Sequence, residues 1–457
     1  MIWSQPRRLV VPLYLFFCLT LGGSTQTIWF TAFLQLGAVV LIGWAAIEGP
    51  LGPATPQAKG LRLLLGAMLL LVVIQLVPLP PLIWTHLPGR GWVVEGLALL
   101  NLTPGWQTLS LAPYDTIPTV LPLLPPLAIL AAMTILRAFS RTGIAVSLFL
   151  GAVCSLSLGL LQIASAGDAA HHFYIQPEHN EGTPSGFFAN PDHLATLLLV
   201  NVPFLTAFAT TGLMSRDRQQ SKKFGKVFFG FAGLSLVCLG LAINGSLAGL
   251  GLLIPVVALS LLIAFPRSSL WRRLIVGLSV IWFTGFLLVV ATPLNRHLLN
   301  QGKVTSLTTR SEFFATGLKV ARDYFPLGSG LGTFARVYRM KEDARLIVPG
   351  VYVNHAHNDY LEILIETGLL GIVLVLMFLF WWARTVKGLA RKGRGDPYPL
   401  AAAIASGAIL AHSFVDFPLR TSAISACMAA SLGLLVAVCE NKANSDDIRP
   451  TRHVEID

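Results

Sequence analysis

The chain has 457 residues, 54% of them hydrophobic and only 12% charged, with a mean hydropathy of +0.68 and a formal net charge of +11. Soluble domains carry roughly 25% charged residues, so this balance excludes a water-soluble globular protein. Apolar runs of about 20 residues recur along the chain, each long enough to cross a hydrocarbon core about 30 Å thick; the sequence reads as an all-α polytopic membrane protein.

In chain order, twelve spans are predicted near 9–23, 28–47, 63–84, 117–136, 143–165, 193–213, 227–243, 247–265, 274–292, 368–383, 398–415 and 422–440. They divide the chain into nine spans with short loops (1–292), one large outer loop (293–367), three further spans (368–440) and a tail (441–457). The first span has no cleavage site followed by a soluble domain and reads as retained. Lys and Arg set the orientation. With the N-terminus inside, the inner loops and tail hold 22 of the 33 basic residues; outside lie Arg90, Arg420 and nine in the 293–367 loop. Both termini are therefore expected in the cytoplasm. The net positive charge faces anionic lipid and calls for no nucleic acid. Cys18, Cys154, Cys238, Cys427 and Cys439 all fall in apolar spans, as small buried hydrophobes, without disulfide or metal spacing.

Three outer segments are long enough to hold structure. Residues 85–116 include "LTPGWQTLSLAPYDT", and residues 166–192 include "DAAHHFYIQPEHNEGTPSGFFANPDH", which has no basic residue. The third, 293–367, is expected to carry a helix over 311–324, capped by Ser311 and stopped before Pro326. The "GSGLG" that follows at 328–332 lacks the preceding strand and the lysine of a nucleotide loop.

The third segment ends in "VNHAHNDYLEILIETGLLG", Val353 to Gly371, and runs straight into "IVLVLMFLFWW". A helix starting near Asn358 puts Asp359, Glu362 and Glu366 on one stripe, where acidic groups suit the positive end of the helix dipole. His357 falls just before the first turn, and a neutral imidazole there can accept a proton. Ionisable groups at a membrane boundary are costly and point to function; solvation of a helix end is the plainer reading of the same charges. His355-x-His357-x-Asp359 has the look of a zinc-ligand run. It continues with Tyr360, however, and His171, His172 and His179 have no tight ligand spacing, so no metal site is expected.

His357-Asn358, nine residues, then Gly368-Leu-Leu-Gly371 matches the H-N-x9-G-x-x-G signature of the bacterial O-antigen ligase and polymerase superfamily, which the chain resembles over about 185–425. "GFFANPDHLATLLLVNVPF", "TTRSEFFATGLKVARDYFPLGSGLGTF" and "HSFVDFPLR" are similar too. The resemblance implies a GT-C-like enzyme of the bacterial inner membrane with its site facing the periplasm. It implies metal-independent, cofactor-free, inverting transfer of a glycan from undecaprenyl diphosphate to a hydroxyl. The acceptor would be a lipid A core sugar for a ligase, the next repeat unit for a polymerase, or a serine for a protein O-oligosaccharyltransferase. A transporter of lipid-linked glycan or a small anion would place ionisable groups near the midplane, and the spans are nearly charge-free.

Within that resemblance His357 is the candidate general base. Arginine forks suit a departing diphosphate: Arg310 is the first choice and Arg420 the second. Arg322, Arg336 and Arg339 read equally as solvated loop charges. His355, Asn358 and Glu362 are candidate glycan contacts. Asn190 and His193 either line the cavity or, the preferred reading, cap the helix there. His412 and Asp416, four apart, are expected to pair and hold Arg420 in place, while Gly368 and Gly371 are expected to let helices approach closely. The chain departs from the family pattern at Ser246, which is followed by Leu247 where members commonly carry an arginine.

Overall fold

The computed structural model describes residues 6–24, 28–50, 55–165, 172–174, 182–214, 220–265, 269–291, 301–343, 352–390 and 396–446. His171, His179 and parts of the outer loop and tail lie outside them. The described chain is mostly helical; its sheet is a two-residue antiparallel pairing of Pro78–Leu79 (β1) with Gln107–Thr108 (β2).

The helices are α1 Val10–Leu21, α2 Ile28–Glu48, α3 Pro56–Leu76, α4 Pro81–Trp84, α5 Gly91–Leu99, α6 Pro113–Val120, α7 Leu124–Thr134 and α8 Arg141–Ala164, then α9 Pro191–Met214, α10 Gln220–Asn244, α11 Leu247–Ala264 and α12 Ser269–Ala291. The outer loop holds α13 Gln301–Tyr324 and α14 Phe334–Arg339, and the chain closes with α15 Asp359–Ala390, α16 Tyr398–His412 and α17 Ser422–Asp446. Among the described residues eight helical stretches are long and apolar enough to cross a membrane: 29–48, 56–76, 113–134, 141–164, 191–213, 224–244, 247–264 and 359–389. The twelve-span expectation was larger. At its first position α1 has 12 residues, a rise of about 18 Å, short of a hydrocarbon core. At its last two, the apolar stretches among the described residues are shorter, Tyr398–His412 in α16 and Ser422–Ala437 in α17.

Local chemistry sets several boundaries. Thr55 accepts from the Ala58 amide at 3.3 Å and Pro56 takes the first position of α3. The helix stops at Leu76, short of the predicted 84, because the prolines of "VPLPP" disfavour helical backbone in the residues before them. Ser140 caps α8 and Ser246 caps α11, each accepting from the amide three residues on. Ser311, expected to cap the loop helix, lies inside α13 instead.

Helix α9 is the hub, packed by α8, α10, α11 and α16, and 83% of its apolar window is buried. Along α16, Ala401, Ala402, Ala405 and Ser406 are fully buried. Small side chains let neighbouring helices close on it, so this helix stands inside the bundle rather than against lipid.

Candidate active site

Two buried amides build the approach to the site. Gln162 Oε1, on α8, accepts from the Ser185 and Gly186 amides at 2.9 Å each, and Gln162 Nε2 donates to the Gly186 carbonyl at 3.0 Å. Asn244 Nδ2, at the end of α10, donates to the carbonyls of Pro184 and Pro191 at 3.0 and 3.1 Å. Held from both sides, the 184–191 turn delivers Asn190 to the start of α9. Asn190 Oδ1 caps the helix by accepting from the Asp192 amide at 2.9 Å, while Nδ2 donates to Asp416 Oδ2 at 3.0 Å. It therefore caps and lines the site at once.

The second side comes from α15. Asn358 is its N-cap: Oδ1 accepts from the Leu361 amide at 3.0 Å, and Nδ2 donates to the Phe414 carbonyl at 2.9 Å. The Asp359 amide donates to the Ser413 carbonyl at 3.0 Å, so the start of α15 is tied to the turn that carries Asp416. His357 sits at φ +48°, a left-handed conformation that is costly for a side-chain-bearing residue and recurs at functional sites. Its Nδ1 lies 3.2 Å from Asp416 Oδ1. A carboxylate only accepts, so Nδ1 carries the proton and Nε2 is left with its lone pair. Phe313 stacks on the ring at 5.8 Å between centroids and Phe417 meets it edge-on at 5.0 Å.

Asp416 is fully buried. It accepts from His357, from Asn190 and from the Phe417 amide. Burial alone would raise its pKa, but the hydrogen bond from His357, with His193 and Arg310 close by, holds the carboxyl well below its usual range. Arg310 on α13 pairs with Asp192, with side chains 18% and 11% exposed. Arg310 and Phe313, one turn apart, thus bring the loop helix onto both halves of the site. His412 Nδ1 donates to Thr196 Oγ1 at 2.8 Å, since that hydroxyl itself donates to the Asp192 carbonyl. Asp192, His412 and Asp416 can present ligand atoms within 4.8 Å of one another, the one such set among the described residues. The Arg310 guanidinium already lies against it.

A second cluster surrounds Arg420, which lies 3.1 Å from Glu366, 3.3 Å from Glu362 and 3.8 Å from Asp359. Glu362 also accepts from His355 Nδ1 and the Ala356 amide at 2.9 Å, and Glu366 from the Gly332 amide at 2.9 Å. The acidic stripe of α15 thus grips an arginine, and "GSGLG" docks on its last carboxylate.

Several sequence expectations change here. Asp416 and His412 do not hold Arg420: Asp416 serves His357, and the carboxylates of α15 hold Arg420. The His355-x-His357-x-Asp359 run does not converge; its members go to Glu362, Asp416 and Ser413. His193 is buried with both ring nitrogens lacking a hydrogen bond, edge-on to Phe417. Gly368, at φ +60°, admits the loop backbone rather than a helix, and the next amide, Leu369, donates to the Pro326 carbonyl at 2.8 Å. Arg336 pairs with the half-buried Asp115, Arg339 lies 3.9 Å over the Tyr352 ring, and Arg322 is exposed. Gln162, Asn244 and Asp192 were missed. An amide inside an apolar span is costly unless paired, and that was the signal available for the first two.

Residues 232–376 match a family model described as O-antigen ligase. The match takes in Asn244, Arg310 and His357 but neither Asn190 nor Asp416. No curated protein matches the chain.

Proposed function

The chain belongs to the O-antigen ligase and polymerase superfamily, and on that premise we propose that it transfers a glycan from undecaprenyl diphosphate to an acceptor hydroxyl at the periplasmic face of the bacterial inner membrane. The hydrogen bond between His357 and Asp416 carries the reading. With Nδ1–H held by the carboxylate, the lone pair of Nε2 is available to an incoming hydroxyl. As the acceptor oxygen bonds to the sugar C1, the bond from C1 to the diphosphate oxygen breaks and that oxygen keeps the electron pair. The acceptor proton passes to Nε2, and Asp416 stabilises the imidazolium. One displacement inverts C1. General-base assistance of this kind contributes about 10²–10⁴-fold.

Arg310 is assigned to the diphosphate. A guanidinium has five donors in a planar fork, and pairing with Asp192 leaves others for phosphate oxygens. Each such contact is worth about 1.5–3 kcal/mol. Arg420 already faces three carboxylates, so we assign it to positioning α15. Asp192 and Asn190 orient Arg310 and Asp416 respectively.

The acceptor decides between ligase and polymerase, and the family description favours the ligase. The test is reconstitution of purified protein with undecaprenyl-diphosphate glycan and, separately, lipid A core or a second lipid-linked repeat. Transfer to the core alone supports the ligase; elongation alone supports the polymerase. His357→Ala should reduce transfer by roughly 10²-fold or more with normal insertion. Arg310→Ala should mainly weaken use of the donor. Full activity of the His357 variant would remove the base assignment.

A further inference from the structure

Far from the site, a cavity of about 470 Å³ opens among Arg8, Arg137, Arg141, Asp396 and Tyr398, with Met133 in its wall. It lies at the opposite end of the bundle. Helix α8 begins here at Arg141 and reaches Gln162, under the site loop, near its end. Helix α16 begins here at Tyr398 and ends at His412. Three guanidinium groups and one carboxylate line the cavity. Asp396 is engaged twice: Arg141 Nε lies 3.0 Å from it, and the Tyr398 amide donates to it at 3.1 Å. The first turns of α8 and α16, the positive ends of these helices, point the same way.

Basic residues at this end of the chain also serve as a topology signal, but that purpose needs no concavity. Here they converge on a half-open concavity lined also by the Thr142 and Tyr398 hydroxyls, 3.3 Å apart, and by Met133 and Phe139. Cationic and apolar side chains together suit an amphiphile with an anionic head. We propose that this cavity binds an anionic phosphate ester, and its place among helix ends favours the head group of an anionic phospholipid over a soluble phosphate.

The experiment uses the full-length protein in detergent and native mass spectrometry. Phosphatidylglycerol, phosphatidylcholine with the same acyl chains, and glycerol 3-phosphate are offered in turn. The comparison variant combines Arg8→Gln with Arg137→Asn. Asparagine tolerates the left-handed backbone at 137, where φ is +51°, and Arg141 is left to hold Asp396. Phosphatidylglycerol should be retained in preference to phosphatidylcholine, and the double variant should weaken it by about tenfold or more. Unchanged glycan transfer by the variant would show that it is folded. Competition by glycerol 3-phosphate would assign the site to the phosphate ester itself; no competition would assign it to the lipid. Equal retention of the two lipids, or a preference that survives in the double variant, overturns the proposal.

Discussion

At Asp416 a carboxylate survives complete burial because three donors converge on it. Its pKa lies well below the usual carboxylate range, and the sign of the linkage follows. A depressed folded value contributes stability that is complete above the unfolded value of about 3.9 and is lost as pH falls through the lower folded value. Asp416→Asn should therefore unfold at a lower temperature than the parent throughout neutral and mildly acidic pH. The gap should close only below about pH 4, as read by thermal unfolding in detergent. A gap that closes already at pH 6 would mean that the carboxylate is not held charged. The same substitution places a donor opposite His357 Nδ1 and favours the wrong tautomer. Transfer should then fall by roughly 10²-fold or more while binding of the lipid-linked donor persists. His357 itself and the acidic stripe could be read directly from "NHAHNDYLEILIE". The partner of His357 could not: it lies 59 positions away, and i, i+4 spacing assigned Asp416 to His412 instead.

Helix α15 carries the glycine end of the motif, Gly368 and Gly371, and a break at the first of them. At Gly368, φ +60° and ψ −144° interrupt an otherwise continuous helix, and the Pro326 carbonyl lies where a side chain would begin. Gly368→Ala should cost at least about 2 kcal/mol through backbone strain and this clash. Thermal unfolding measures it, and an unchanged midpoint would refute it. Undocking of the Pro326–Gly332 turn should lower transfer as well. The sequence marked Gly368 as special without saying what approaches it, because helix packing and loop docking both need a missing Cβ. Elsewhere hydropathy located helices better than their ends. Thr55 and Pro56 begin α3 ahead of Lys59 and Arg62, charges that the hydropathy reading had left outside the span.

Across the whole molecule, amides buried in apolar helices place the site. Gln162 secures the 185–186 backbone, Asn244 secures Pro184 and Pro191, and Gln75 on α3 donates to the Glu366 carbonyl at 2.9 Å while accepting from the Leu331 amide. Gln162→Leu would leave the Ser185 and Gly186 amides unsatisfied, at about 1–3 kcal/mol each. The expected outcome is normal insertion with impaired transfer and a lowered unfolding temperature. Transfer equal to the parent would separate the 184–191 turn from the chemistry.

The sequence by itself determined a helical membrane chain and the motif that ends its outer loop, because apolar run length and residue spacing are local properties. It also identified His357, Asn358 and Arg310 as residues to watch. Tertiary structure alone decided that Asp416 turns to His357, that Arg310 meets Asp192, and that Arg420 spends its charge on three carboxylates. The reason is physical: a buried charge is stable only with whichever partners folding brings within hydrogen-bond reach, and those partners come from helices far apart in the chain.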